Sequence, residues 1–170
     1  MENVSTHEEA VKTVNDLIKD VEVAMLTTIT DGKVVSRPMQ TQEAEFNGEL
    51  WFLTLKDTAK YLEIIANPSV NLAYAGKSYV SISGTAEFSE DLERKKEYWN
   101  PIFEKMLETT YDDPNVVLIK VTADTAEYWE SGNKLKAVKK FAKKLTSNEK
   151  VGDDEEMNEF YDDALKGRVS

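Results

Sequence analysis

The chain contains no cysteine. That removes disulfides, thiolate metal sites and a thiol nucleophile, and it fits a reducing, cytoplasmic setting. Redox chemistry, if there is any, must then come from a bound cofactor. The single histidine, His7, lies near the start of an expected helix, so zinc sites and hydrolytic triads lose their usual parts and no metal site is expected. With 7 glycines and 4 prolines the chain is neither collagenous nor of low complexity. No apolar run approaches the ~20 residues of a bilayer span. The opening segment MENVSTHEEA is acidic and lacks the basic-then-apolar order of a signal peptide, so neither membrane nor export is expected. Acidic residues outnumber basic ones, 32 Asp and Glu against 21 Lys and Arg. The net charge of −11 argues against a duplex-binding face, although a few gathered cations could still hold an anion. Neither a GxGxxG nor a P-loop pattern occurs.

What is present suits one compact unit. The 170 residues are 41% hydrophobic, with 3 Trp, 7 Tyr and 6 Phe to fill a core. Residues 6–19 read as a helix, with Thr6 and Glu9 as a capping box and Val11, Val14, Leu17 and Ile18 on one face. The period then changes to that of strands. Val23 to Thr30 is followed by the hairpin dipeptide Asp31-Gly32 and a return strand from Lys33 to Gln42. Asn47-Gly48 is a second turn, leading into Leu50 to Leu55, and the two turns together predict an antiparallel meander. In this third strand Leu50, Trp51, Phe52 and Leu53 run consecutively. One face of that strand can enter a barrel; the other needs a second cover, either another subunit or C-terminal helices.

A short helix is expected from Thr58 to Ala66, ending before Asn67-Pro68. Strands follow at Val70 to Ala75 and Tyr79 to Phe88, with Gly84 marking a bend or a close backbone approach. Ser89 is expected to cap one helix and Asn100-Pro101 to open the next. Val116 to Val121 and Ala126 to Glu130 read as the last strands. Six or seven short strands with few intervening helices point to a mainly β (α+β) fold, a closed or nearly closed antiparallel barrel with flanking helices. Residues 1–133 form this domain and 134–170 an extension. In the extension, residues 134–144 hold six lysines and no acid, and 153–163 hold seven acids and no base. Two amphipathic helices with solvated faces are expected there, rather than a membrane or nucleic-acid helix.

Three segments could carry chemistry. In Ser36-Arg37-Pro38-Met39, proline cannot donate to a ladder, so this strand lies at an edge or is bulged, and Arg37 there could meet an anion. In Thr54 to Lys60 a strand runs into a helix start, where free N–H groups favour anions. Lys60 in that first turn opposes the helix dipole unless an anion or water relieves it. In Glu127-Tyr128-Trp129-Glu130, Trp129 is either core or a wall for a flat aromatic ligand.

Taken in order, AMLTTI, VVSRPM, LWFLTLKDTAKYLEIIANPSVNLAY, YVSISGTAEF and EYWESG resemble the pyridoxamine 5'-phosphate oxidase-like FMN-binding split-barrel superfamily, and within it the general stress protein 26 branch. The resemblance covers residues 5–133 and implies a split β-barrel homodimer with FMN (or FAD) at the subunit interface. It also implies roles: Arg37, Thr54, Thr58 and Lys60 at the flavin phosphate, Pro38 and Met39 with their backbone at the ring, and Trp129 reaching the flavin from the partner subunit. No catalytic acid or base is implied. Two departures stand out. Gln42 occupies the place of a lysine in the true oxidase, and the stretch after Trp129, SGNKLKAV, has neither the arginine nor the histidine that grip pyridoxal phosphate there. Oxidation of vitamin B6 phosphates is therefore not expected. Three functions stay open: a flavin-dependent oxidoreductase taking electrons from a donor such as NAD(P)H, a stress-linked protein that holds flavin without turnover, and a flavin-free interaction module.

Overall fold

The computed structural model describes the backbone of residues 2–42, 44–129 and 139–142, and the side chains of 8–42 and 44–129. Helix α1 spans Glu2–Ile18. It begins upstream of the expected capping box, so Thr6 lies inside the helix; nothing in residues 2–5 breaks a helix. Strands β1 (Val23–Thr30) and β2 (Lys33–Gln40) form the expected hairpin. At its tip Asp31 and Gly32 both take positive φ, 49° and 71°, which matches the right-handed twist of the two strands.

The predicted meander stops at β2. Strand β3 (Glu49–Leu55) pairs with β6 (Val116–Trp129) at the far end of the sheet, whose order is β2-β1-β4-β5-β6-β3. The reason lies in the connection. Thr41 turns back, its N–H and hydroxyl bonding the Glu22 carbonyl and its hydroxyl also the Val21 carbonyl. Phe46 is then buried and its N–H bonds Asn15 Oδ1 of α1. The chain is thus carried across the barrel's open end before β3 starts. Between β3 and β6 come α2 (Ala59–Ala66), β4 (Ser69–Ala75), β5 (Tyr79–Ser89), α3 (Leu92–Tyr98) and α4 (Pro101–Leu107). The result is a curled, half-closed antiparallel barrel flanked by helices.

Two stretches differ from expectation around β6. It is one continuous strand of 14 residues, where two were expected. Its register against β5 slips at Ser83/Gly84, leaving Asp124 as the extra residue. A Cβ on Gly84 would stand 2.2 Å from the Thr122 carbonyl oxygen, so the close approach expected of this glycine is real. Residues 139–142, expected on a basic helix, form the short strand β7 (Lys139–Ala142). It pairs with Thr125–Tyr128, the edge of β6 that β3 leaves open, and so gives those backbone groups partners. The acidic run 153–163 and the rest of the extension lie outside the described residues.

The core has two parts. The barrel interior packs Leu26, Leu72, Ile82, Phe52 and Ile119 with Val14 and Ile18 of α1. The second cluster, Leu53, Phe103, Val116 and Leu118, lies between the other face of β3–β6 and helices α3–α4. These helices are therefore the second cover that Leu50–Leu53 demanded, rather than a subunit contact or the C-terminal extension. Asp91, not Ser89, caps α3, while Asn100 caps α4 as expected by accepting from the N–H groups of Ile102 and Phe103.

Candidate functional site

Pro38 requires an edge, and β2 is indeed the last strand of the sheet. Pleating sends Ser36 and Pro38 outward, and Arg37 and Met39 toward the interior side, opposite Leu26 and Ala24. Met39 is buried in the core, so only its backbone could meet a ligand. Arg37 is half-buried and reaches the mouth of the barrel under α2. Helix α2 is seated there by Ile64, which is buried, and by Tyr61, which packs on Phe88 at 4.5 Å.

At this junction three side chains close a ring. Arg37 Nη1 donates to Thr28 Oγ1 at 2.7 Å, and Arg37 Nη2 donates to Glu63 Oε2 at 2.6 Å. The Thr28 hydroxyl donates to the same Glu63 oxygen at 2.6 Å. The side chains of Arg37 and Glu63 keep only 18% and 14% of their exposure, so this is a desolvated pair and not a surface ion pair. The Thr28 bond first, and then the Arg37 charge, hold the Glu63 carboxyl below the usual carboxylate range, against the opposing effect of burial. One turn earlier on α2 stands Lys60. Burial, followed by repulsion from Arg37, lowers its pKa, with Glu63 acting the other way. Among the described residues no carboxylate lies within ion-pair distance of Lys60.

The helix start adds to this positive ground. Thr58 is the N-cap of α2, but its hydroxyl donates back to the Leu55 carbonyl at 2.7 Å and caps no N–H. No acid sits in the first turn. The leading N–H groups of α2 thus point their partial positive charge at whatever lies beyond the helix. Thr54 is buried on β3, four residues before the cap.

Of the residues predicted from sequence, the structure brings Arg37 and Lys60 within electrostatic reach of each other and sets Thr58 at the start of the same helix. It does not bring Trp129 to them. Trp129 ends β6 opposite Tyr79 of β5, while Arg37 lies on β2, the terminal strand on the far side of β1 and β4. Thr28 and Glu63 were missed. Glu63 had a signal: it is the sole acid in the apolar helix AKYLEIIA and stands i+3 from Lys60. Thr28 had none, because a threonine in a β-branched strand needs no further explanation.

Elsewhere, an open cleft of about 730 Å³ runs between the end of α1, residues 40–42 and the α3–α4 turn. Gln42 lines it, and its buried Nε2 has no hydrogen-bond partner among the described residues. Among the described residues its wall holds one cation, Lys19, against Asp20, Glu22 and Glu97. Among the described residues no helix is long and apolar enough to cross a membrane, and no cluster of His, Asp and Glu suits a metal ion.

The family model described as pyridoxamine 5'-phosphate oxidase like matches residues 9–152. No curated protein matches the chain. Among solved structures, general stress protein 26 from Bacillus anthracis str. Sterne superposes with a TM-score of 0.66 at 25% identity, covering 78% of this chain and 99% of that one. The general stress FMN/FAD binding protein from Xanthomonas citri gives 0.63 at 28% identity, covering 76% and 94%.

Proposed function

The chain belongs to the pyridoxamine 5'-phosphate oxidase-like family, and from that membership we propose that it binds a flavin nucleotide, FMN, and passes electrons from a donor such as NAD(P)H to a small acceptor. The observation that carries this reading is the cationic pair Arg37 and Lys60 beside an uncapped helix start. Two cations, a threonine-rich strand-to-helix turn and free N–H groups are the donor set a terminal phosphate needs. The similarity to a structure described as an FMN/FAD binding protein supports the same ligand.

When bound, the flavin supplies hydride and single-electron chemistry; the chain supplies binding and orientation. Arg37 and Lys60 hold the phosphate, and the α2 N–H groups and Thr58 sit where they can complete its shell. Pro38 keeps an uncharged surface at the sheet edge, where the backbone of residues 38 and 39 can face the ring. Trp129, remote from Arg37 in its own chain, closes the pocket of a second subunit.

The sheet's outer face supports that second subunit. Across β2, β1 and β4, and along β5 as far as Thr85, none of the outward residues is charged; Glu87, further along β5, pairs with Lys120 of β6. Val34 is 72% exposed, and Val23, Met25, Ile29 and Tyr79 are also exposed. A contiguous uncharged sheet face of this kind is an interaction surface by the usual standards of soluble proteins, and a two-fold homodimer is the commonest way to cover one.

The deciding experiment is a visible absorption spectrum of the purified protein with and without added FMN. A flavin band that co-purifies, or a stoichiometric complex on addition, supports the reading; no complex at saturating FMN refutes it. Consumption of NAD(P)H by the holo-protein then separates an oxidoreductase from a protein that only stores flavin.

A further inference from the structure

Glu63 has no role in the phosphate site inferred from sequence, yet it is the group that Arg37 holds. Charge bookkeeping makes its consequence definite. Arg37 and Lys60 contribute two positive charges, and the ionised Glu63 contributes one negative, leaving the cluster at +1. A terminal phosphomonoester, as in FMN, carries close to −2 at neutral pH. Each phosphate of a diester chain, as in FAD, carries −1, and riboflavin carries none.

We propose that Glu63 is the specificity-determining residue of this site, an internal carboxylate that occupies the Arg37 fork in the empty protein and lowers the preference for a dianionic phosphate over a singly charged or absent one. The inference rests on the flavin-phosphate reading given above. Geometry supports a competing role over a merely supporting one. Glu63 Oε2 takes both Thr28 and Arg37 Nη2, so the carboxylate has its charge directed at the arginine and not at solvent. Both partners are largely covered, so their interaction is screened less than that of an exposed pair. A phosphate entering beside Arg37 either displaces this carboxylate or sits next to it, and both cost affinity in proportion to the phosphate charge.

The test measures dissociation constants of FMN, FAD and riboflavin for wild type, Glu63→Gln and Arg37→Ala at one ionic strength, by flavin fluorescence and calorimetry. Glutamine keeps an oxygen for Thr28 and Arg37 while removing the charge. Glu63→Gln should tighten FMN roughly tenfold and FAD roughly threefold, the scale of one partly screened charge, and leave riboflavin within about twofold. Unchanged or weaker FMN binding by Glu63→Gln, with Arg37→Ala still losing FMN selectively, overturns the proposal: Glu63 would then orient Arg37, and the phosphate site would stand. An Arg37→Ala variant that loses FMN and riboflavin equally overturns the phosphate site itself, and the proposal with it. If Glu63→Gln does not fold, Thr28→Val removes the second bond anchoring the carboxylate. The valine also removes the bond that Arg37 Nη1 gives to Thr28, so the carboxylate and the arginine fork are loosened together; FMN should tighten by about threefold relative to riboflavin, and no change would overturn the proposal.

Discussion

Arg37 and Glu63 are held together at 2.6 Å although they come from different elements, an edge strand and the helix that caps the barrel mouth. The pair ties β2 to α2 and at the same time fixes the direction of the arginine fork. Its structural role and the ligand-directed role proposed for it can be separated by measurement.

The ligand-directed function concerns the phosphate. Charge-assisted bonds from arginine are strong and often bidentate. Arg37→Ala should weaken FMN by ~1.5–3 kcal/mol, the range for bonds to charged groups. Riboflavin lacks the phosphate, so it should bind wild type more weakly than FMN and lose little on mutation. Equal losses for the two flavins would place the phosphate elsewhere.

The structural function shows in acid. The Glu63 carboxyl is held below its ordinary pKa in the folded protein, so its contribution is complete above the unfolded value of about 4.3. It is lost as pH falls through the lower, folded value. Urea midpoints of wild type should therefore exceed those of Glu63→Gln at pH 6, and the gap should narrow toward pH 3. A gap that stays constant across this range would mean the carboxylate charge adds nothing to the fold.

Much of this arrangement was legible in the sequence, and the boundary of what was legible is physical. Short-range signals worked: Asp31-Gly32 closed its hairpin, Pro38 marked an edge, Asn100-Pro101 opened a helix and Gly84 marked a close approach. What failed was pairing at a distance. The unbroken apolar run Leu50–Leu53 marks β3 as a strand with two buried faces, but does not show that its neighbour is β6, some 65 residues on; the crossing depends on Thr41 and Phe46 bonding back to the Val21–Glu22 segment and α1. The site divides in the same way. Arg37 and Lys60 announce themselves by charge in the wrong place, whereas the Thr28–Glu63 contact spans 35 positions and leaves no local trace.

Gly84 gives a test of the barrel itself. An added methyl would meet the Thr122 carbonyl oxygen at 2.2 Å and its carbon at 3.0 Å, both backbone atoms that cannot rotate away. Gly84→Ala should force the β5–β6 ladder apart at its bulge and cost ~1–3 kcal/mol, as overpacking generally does. Chemical denaturation reads this directly. A neutral result would mean that the bulge at Asp124 absorbs the methyl.

Vitamin B6 phosphates should be poor substrates. Gln42 stands where a cation would be needed, and among the described residues the nearby cleft presents Asp20, Glu22 and Glu97 against one lysine. A second phosphate entering there meets net negative charge, and the missing charge-assisted bonds cost several kcal/mol of substrate binding. Peroxide release from pyridoxamine or pyridoxine phosphate at ordinary enzyme rates, ~1–10³ per second, would refute this.

The last prediction is a two-fold dimer that shares its flavin sites. α3 and α4 cover the outer side of β3–β6, but the outer side of β2, β1 and β4 carries no charge and keeps Val34, Val23, Met25 and Ile29 exposed. The edge strand β2 lies at its margin, so a partner on this face also shields an open edge. Trp129 ends β6, four strands along the path from β2, and the shared site assigns it to its neighbour's Arg37. Two consequences can be measured. Met25→Lys and Val34→Glu, which put charge on the bare face, should shift the protein from dimer to monomer in light scattering and abolish FMN binding with it. Mixing Arg37→Ala with Trp129→Ala, each weak for FMN alone, should rebuild one intact site in each heterodimer formed by subunit exchange, so tight binding returns at about one site per heterodimer, as two-fold symmetry requires. A monomer that binds FMN tightly, or no recovery after verified exchange, would exclude the shared site.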